Sequence, residues 1–173
     1  MKVRKHISTL PVVALCLLVL GSAAAFAQKK FMVLSSGRPD VKVQLAAFVE
    51  REKALVPVEK ASMVKSGEIL HWTISSANEG NAAALNYKAV GHIPAGMTFV
   101  PGSAKGDGSV NALYSIDKGK SYSAQPTIAE RQPDGSVKKV SAPVSMYTDV
   151  RYEWTDPLAE GGKLSVSYKV RVN

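Results

Sequence analysis

Alternation of apolar and polar residues is the clearest pattern along this chain. Between Leu164 and Val172 every second residue is apolar, and the residues between them are polar or charged. A period of two places successive side chains on opposite faces of a strand. The pattern therefore predicts a long antiparallel strand with one buried face and one wet face.

The same period recurs in three other places. The apolar positions are Val41, Val43, Leu45, Ala47 and Val49, then Leu70, Trp72 and Ile74, and then Val150, Tyr152 and Trp154. Each set is predicted to face a core. Turn residues separate the sets, above all at residues 78–81, 94–96, 117–120 and 132–135. Residues 50–60 have helical propensity, but Pro57 interrupts them. About seven to nine short strands are expected, a pattern typical of a β-sandwich.

Residues 68–102 have the most specific sequence: strand, polar turn, strand, proline turn, strand. The polar turn, residues 78–81, is expected to keep its polar groups in water. The elements that suggest a family are Gly67, Trp72, Asn78, Gly80, Ile93, Pro94, Gly96, Met97, Val100, Gly102 and Ser103.

In this order they resemble the bacterial conserved repeat domain, the domain of unknown function numbered eleven. The resemblance covers residues 41–172 and is strongest over residues 65–108. It implies an immunoglobulin-like antiparallel β-sandwich at the cell surface or outside the cell, with no enzymatic activity. Two features depart from the family: Gly91 and His92 stand where many members carry an aspartate, and the chain has room for one copy of a domain that often occurs in tandem.

The N-terminus has the three parts of a secretory signal peptide. Lys2, Arg4 and Lys5 are followed by an apolar run over residues 10–20 and by a small-residue site that predicts cleavage between Ala27 and Gln28. A membrane anchor is the alternative, but the run is shorter than the roughly 20 residues that a span requires. Cys16 lies inside the run, which disfavours lipidation.

The expected organisation is a signal peptide over residues 1–27, an N-terminal extension over residues 28–40 and one β-domain over residues 41–173. Cleavage would leave 146 of the 173 residues, lower the net charge from +8 to +5 and remove the single cysteine. The exported chain would have no disulfide and no membrane span, and it would be periplasmic or extracellular. Its lysines are scattered, so nucleic-acid binding is not expected.

The sequence contains no recognisable catalytic, metal or cofactor site. His71 and His92 lack zinc-ligand spacing, and Asp107 is a lone acid without a calcium-loop pattern. Asp149 and Glu153, with Asp156 nearby, could form a carboxylate pair, but such spacing is common on any wet strand. Lys88 and Asn86 raise the hypothesis of an internal isopeptide cross-link, without identifying its partners.

The expected function is therefore a non-enzymatic structural or interaction module of the bacterial cell envelope. Its partner would be an envelope protein or a cell-surface polysaccharide. Asp107, Asn111, Tyr114 and Tyr122 are the candidate contact residues, within loops at the end of the domain. An exposed edge strand that pairs with a partner chain is a second binding mode. The alternative function is a carbohydrate-binding module, or an accessory domain of a separately encoded hydrolase, which would need an exposed row of aromatic side chains.

Overall fold

The computed structural model describes residues 37–61 and 63–173. The predicted signal peptide, its cleavage site at Ala27 and Gln28, and most of the extension over residues 28–40 lie outside the described residues. The last residues of that extension run beside residues 78–81. The Glu79 amide donates to the Asp40 carbonyl at 2.8 Å, and the Arg38 amide donates to the Asn81 side chain at 2.8 Å.

The described residues form eleven antiparallel strands and no α-helix, which confirms the all-β prediction. The strands are β1 (Val41–Arg51), β2 (Ala54–Pro57), β3 (Ile69–Asn78), β4 (Lys88–His92), β5 (Met97–Phe99), β6 (Lys105–Gly106), β7 (Val110–Ser115), β8 (Thr127–Arg131), β9 (Val137–Ser141), β10 (Asp149–Trp154) and β11 (Lys163–Val172). Short 3-10 turns occupy Val58–Lys60 and Val144–Met146. Over these same ranges, no helix has the length and apolar character to cross a bilayer.

The strands form three sheets. The largest has the order β2-β1-β3-β11-β5, with the two-residue β6 also paired to β11. A second sheet has the order β4-β10-β7, and β8 and β9 form a separate hairpin. The hairpin closes at the predicted turn over residues 132–135, where the Gly135 amide donates to the Gln132 carbonyl at 3.0 Å. The eleven strands exceed the expected seven to nine, and the two-residue β6 is too short to show an alternating pattern.

One hydrophobic core lies between the two larger sheets. The side chains of Tyr152 and Tyr168 are fully buried in it. The Tyr152 hydroxyl donates to the Ser167 carbonyl at 2.8 Å, and the Tyr168 hydroxyl donates to the His92 carbonyl at 2.7 Å. Because each bond joins a strand of one sheet to a strand of the other, the two tyrosines fix how the sheets face each other.

The core confirms most of the predicted inward positions. Trp154 is buried and its indole N–H donates to the Asp107 carbonyl at 2.9 Å. Trp72 is half-buried and stacks on Tyr168, with ring centroids 6.5 Å apart. In β11 the alternation of residues 163–172 is reproduced, with Val166, Tyr168 and Val170 fully buried.

Two predictions about exposure are wrong. Val43 and Leu45 were expected to face a core together with Ala47 and Val49, yet they are 57% and 60% exposed. Their strand extends past the region that the opposite sheet covers, so the alternation is kept while the burial is lost. Conversely, Asn78 was expected to be wet and is 1% exposed, because the loop after β10 folds over it and uses its side chain as a hydrogen-bonding partner.

Candidate interaction surface

Two of the predicted contact residues, Asp107 and Asn111, are exposed. The carboxylate of Asp107 accepts a hydrogen bond from the Ser165 amide at 2.9 Å, and its own amide donates to the Ser165 carbonyl at 3.0 Å. Asp107 thus fastens the segment after β6 to β11. Asn111 lies within strand β7 rather than in a loop.

The other two, Tyr114 and Tyr122, are half-buried. Tyr114 stacks on Tyr147 with ring centroids 5.0 Å apart and tilts against Phe99 at 5.1 Å. Burial raises the pKa of the Tyr114 phenol. Tyr122 covers the guanidinium of Arg151, which lies 4.0 Å from its ring centroid. Both rings therefore serve packing, and the structure does not bring the four candidates together into one exposed patch.

The carboxylates that raised the possibility of an enzyme lie apart on β10. Asp149 contacts the His92 ring at 3.0 Å and accepts from the Thr148 hydroxyl at 2.8 Å. Glu153 instead contacts Lys88 at 2.9 Å, and this contact lowers the Glu153 pKa. Four residues of strand separate the two acids by about 13 Å. Among the described residues no hydroxyl hydrogen-bonds to the His92 imidazole, and the Tyr168 hydroxyl contacts the main-chain carbonyl of His92 instead.

The two residues that raised the hypothesis of an isopeptide cross-link, Lys88 and Asn86, are both exposed. Lys88 is exposed and paired with Glu153, and Asn86 occupies a turn with a positive φ of 51°. The buried asparagine is Asn78, whose amide contacts carbonyl groups and no lysine. Across residues 37–61 and 63–173, no three His, Cys, Asp or Glu side chains are grouped so that they could hold a metal ion.

The feature that the sequence did not predict is an uncovered strip on the inner face of β1. In register across the largest sheet, Val166 and Ile74 are 2% and 4% exposed, whereas their neighbour Leu45 is 60% exposed. Val43 is likewise exposed, although its neighbour Ser76 in β3 is buried. The boundary of the opposite sheet therefore falls between β3 and β1.

The opposite sheet ends there with β4, which pairs with β10 and with no other strand in the part of the chain that the structure describes. Gly91 allows β4 to lie directly against the Tyr168 ring, since a Cβ at this position would overlap the ring. On the other half of β1, Val56 of strand β2 and the following Val58 pack against the core and complete the cover. We call the inner face of β1 around Val43 and Leu45, together with the free edge of β4, the open side.

A second surface of interest is the outer face of the largest sheet. It holds a shallow groove of about 390 Å³ whose lining includes Lys42, Lys163, Ser75 and Ser165. These groups could hydrogen-bond to a sugar. Within the described ranges, however, every aromatic side chain is buried or half-buried, so the groove has no exposed ring on which a sugar could stack.

No signal in the sequence alone could have identified the open side, because Val43 and Leu45 continue the same inward alternation as the buried residues of β1.

Comparison with protein-family models, with curated proteins and with solved structures finds no match.

Proposed function

We propose that this chain is an exported, non-enzymatic interaction module of the bacterial cell envelope, built as an immunoglobulin-like β-sandwich of the conserved repeat type. The order of the two larger sheets around one core supports the sandwich architecture. The predicted signal peptide supports export. The module would recognise an envelope protein, and polysaccharide binding in the lysine-lined groove is the weaker alternative because that groove lacks a stacking ring.

The open side is the observation that carries this proposal. Val43 and Leu45 are large exposed apolar residues, and the β4 edge beside them pairs with no further strand in the described part of the chain. An exposed apolar strip next to a free strand edge is typical of protein recognition by strand addition. Such a surface needs no reactive side chain, in keeping with the dispersed carboxylates and histidines.

The test is capture of envelope proteins and cell-wall polysaccharides by the purified chain over residues 28–173. The informative variant carries Val43→Ser and Leu45→Ser. Its matched control carries Leu55→Ser and Val137→Ser, which change apolar residues of similar exposure elsewhere. We expect a discrete protein to be captured by the wild type and the control, and to be lost with the informative variant. Retention on polysaccharide alone, competed by free sugar, would replace the proposal with the carbohydrate-binding function.

A further inference from the structure

We propose that the open side receives a single extended strand of a partner protein, and that this strand has apolar residues facing inward and acidic residues facing outward. This inference rests on the proposed function and specifies the chemistry of the partner. It follows from three independent properties of the open side: its width, the direction of its free main-chain groups, and the charges that border it.

The width accommodates one strand. Strand β1 extends beyond β4 by one position in the sheet order, because β4 lies over β3 and β11. Neighbouring strands lie about 4.8 Å apart, so one strand added at the β4 edge would lie over β1. Side chains two residues apart on that strand would point inward, at the spacing that separates Val43 from Leu45. Both residues would then be covered.

The same geometry disfavours a second copy of this chain as the occupant. In a symmetric pair joined edge to edge at β4, the β4 strand of each copy would lie over β1 of the other. That position is already taken by β3 of the second copy, which lies over its own β4. The two larger sheets would overlap, whereas a lone strand meets no such obstacle.

Within the described residues, the main chain of β4 has hydrogen-bonding groups on this side that no other strand pairs with. At one end of the strand the Trp154 amide donates to the Tyr87 carbonyl at 3.4 Å, and at the other the Ile93 amide donates to the Thr148 carbonyl at 2.9 Å. Both bonds run toward β10. Since main-chain groups alternate in direction along an antiparallel strand, those of Lys88 and Val90 face the free edge.

Charge defines the outer face of the added strand. The outward side chains of β4 are Lys88, Val90 and His92, and all three are exposed. Lys88 and His92 each contact a carboxylate on the β10 side, at 2.9 and 3.0 Å, while their other side is open. An acid opposite Lys88 would continue the alternation of charge across the sheet, which stabilises cross-strand pairs, and an acid opposite His92 could hydrogen-bond to its ring.

The chain's own residues 28–36 do not have this chemistry. They contain Lys29 and Lys30 and no acidic residue. The net charge of +5 expected for the exported chain also favours encounter with an acidic partner. A partner strand with alternating valine-like and glutamate-like positions therefore matches the open side best.

The experiment uses the chain over residues 28–173, labelled with ¹⁵N, and the peptide Val-Glu-Val-Thr-Val-Glu-Val, which reads the same in both directions. Its two glutamates are spaced like Lys88 and His92. The controls are Val-Val-Glu-Thr-Glu-Val-Val, which has the same composition without the alternation, and the version with lysine in place of glutamate. The readouts are affinity and the hydrogen-exchange rates of the Lys88 and Val90 amides.

Two variants test the contact itself. Val90→Pro removes the edge N–H while the bonds of β4 to β10 remain, because proline is tolerated on an edge strand. Val90→Thr keeps the N–H and is the matched control, and circular dichroism verifies that both fold. We expect the alternating glutamate peptide to slow exchange at Lys88 and Val90, and Val90→Pro to weaken its binding by about tenfold relative to Val90→Thr.

The other outcomes overturn the inference in different ways. Equal binding of the non-alternating peptide would refute strand addition, and equal binding of the lysine peptide would refute the acidic outer face. Slow hydrogen exchange at Val90 in the free protein would show that the β4 edge is already occupied. A dependence of the exchange rate on protein concentration would identify the occupant as another copy, and no such dependence would identify it as a segment of the same chain. If no peptide binds while capture still depends on Val43 and Leu45, this inference fails and the proposed function stands; if that capture is also absent, both fail.

Discussion

Replacement of Asn78 by alanine is expected to destabilise the domain severely, because one buried side chain links three segments of backbone. The two hydrogens of its amide nitrogen are shared among the carbonyl groups of Ala82, Leu158 and Ala159, at N–O distances of 2.7–3.1 Å. Its carbonyl oxygen accepts from the Asp40 and Gly80 amides at 3.1 and 3.2 Å. The side chain thereby joins the segment before β1, the turn after β3 and the loop before β11.

The magnitude follows from the groups that alanine would leave without a partner. The Leu158 carbonyl also accepts from the Ala84 amide, and the Ala159 carbonyl also accepts from the Gly162 amide. The Ala82 carbonyl and the Asp40 and Gly80 amides would lose the bond that Asn78 supplies. These three groups are only part-buried, so the low end of the usual range of about 1–3 kcal/mol for an unsatisfied group applies to each, and the loss is about 3–5 kcal/mol.

Urea unfolding at pH 7, followed by the fluorescence of Trp72 and Trp154, measures this loss. The matched control is Asn111→Ala, which changes an exposed asparagine of β7 and should alter the free energy of unfolding by less than about 0.5 kcal/mol. Asn78→Asp should also be destabilising at neutral pH, because a carboxylate oxygen would then face three carbonyl groups. A loss of less than about 1 kcal/mol for Asn78→Ala would refute the reasoning.

Three further predictions concern the core and the charged surface. Burial raises the pKa values of Tyr152 and Tyr168. The stability that the two neutral phenols contribute is therefore fully present below pH 10 and is lost as the pH rises above it. An absorbance titration should show these two phenols ionising only as the protein unfolds. Hydrogen bonds from Arg51 and the Lys65 amide hold the pKa of Glu68 at about 2. The free energy of unfolding should therefore fall as the pH drops from about 4.5 to 2, and it should fall less steeply in Glu68→Gln. Identical acid profiles of the two proteins would contradict the assignment. Gly91→Ala should lower the free energy of unfolding by about 1–3 kcal/mol through overlap with the Tyr168 ring, and a change below about 0.5 kcal/mol would argue against so close a contact.

Local sequence patterns were enough to predict the longer strands and several turns. A period of two defines β11, β10 and the inward face of β3, and proline with glycine marks the turn between β8 and β9. These features depend on interactions between residues close in the chain. The same rules failed at Val43 and Leu45, because their exposure depends on where a different sheet ends.

The motif that suggested a family has a structural explanation in this chain. Asn78 holds three segments together, and a side chain at Gly80 would overlap the Arg38 carbonyl and the Asp40 amide. A polar turn after a strand predicts neither contact, since the partners lie about 40 and 80 residues away. Distant partners also explain why Asp107, Tyr114 and Tyr122, chosen as contact residues, turned out to be engaged in packing or in main-chain hydrogen bonds.

The other strand edges show why the open side is better explained by function than by incomplete packing. Natural sheets protect their edges with short strands, proline, charges or a covering segment. Here β2 has four residues and ends at Pro57, and β5 has three residues. The free edge of β7 is bridged at Tyr114 by Ser123. Along the open side, by contrast, two exposed apolar residues of β1 lie beside a five-residue edge whose centre is the exposed Val90. Among the described residues, the edges at β2, β5 and β7 are thus short or bridged, whereas at the open side a single added strand would cover Val43 and Leu45.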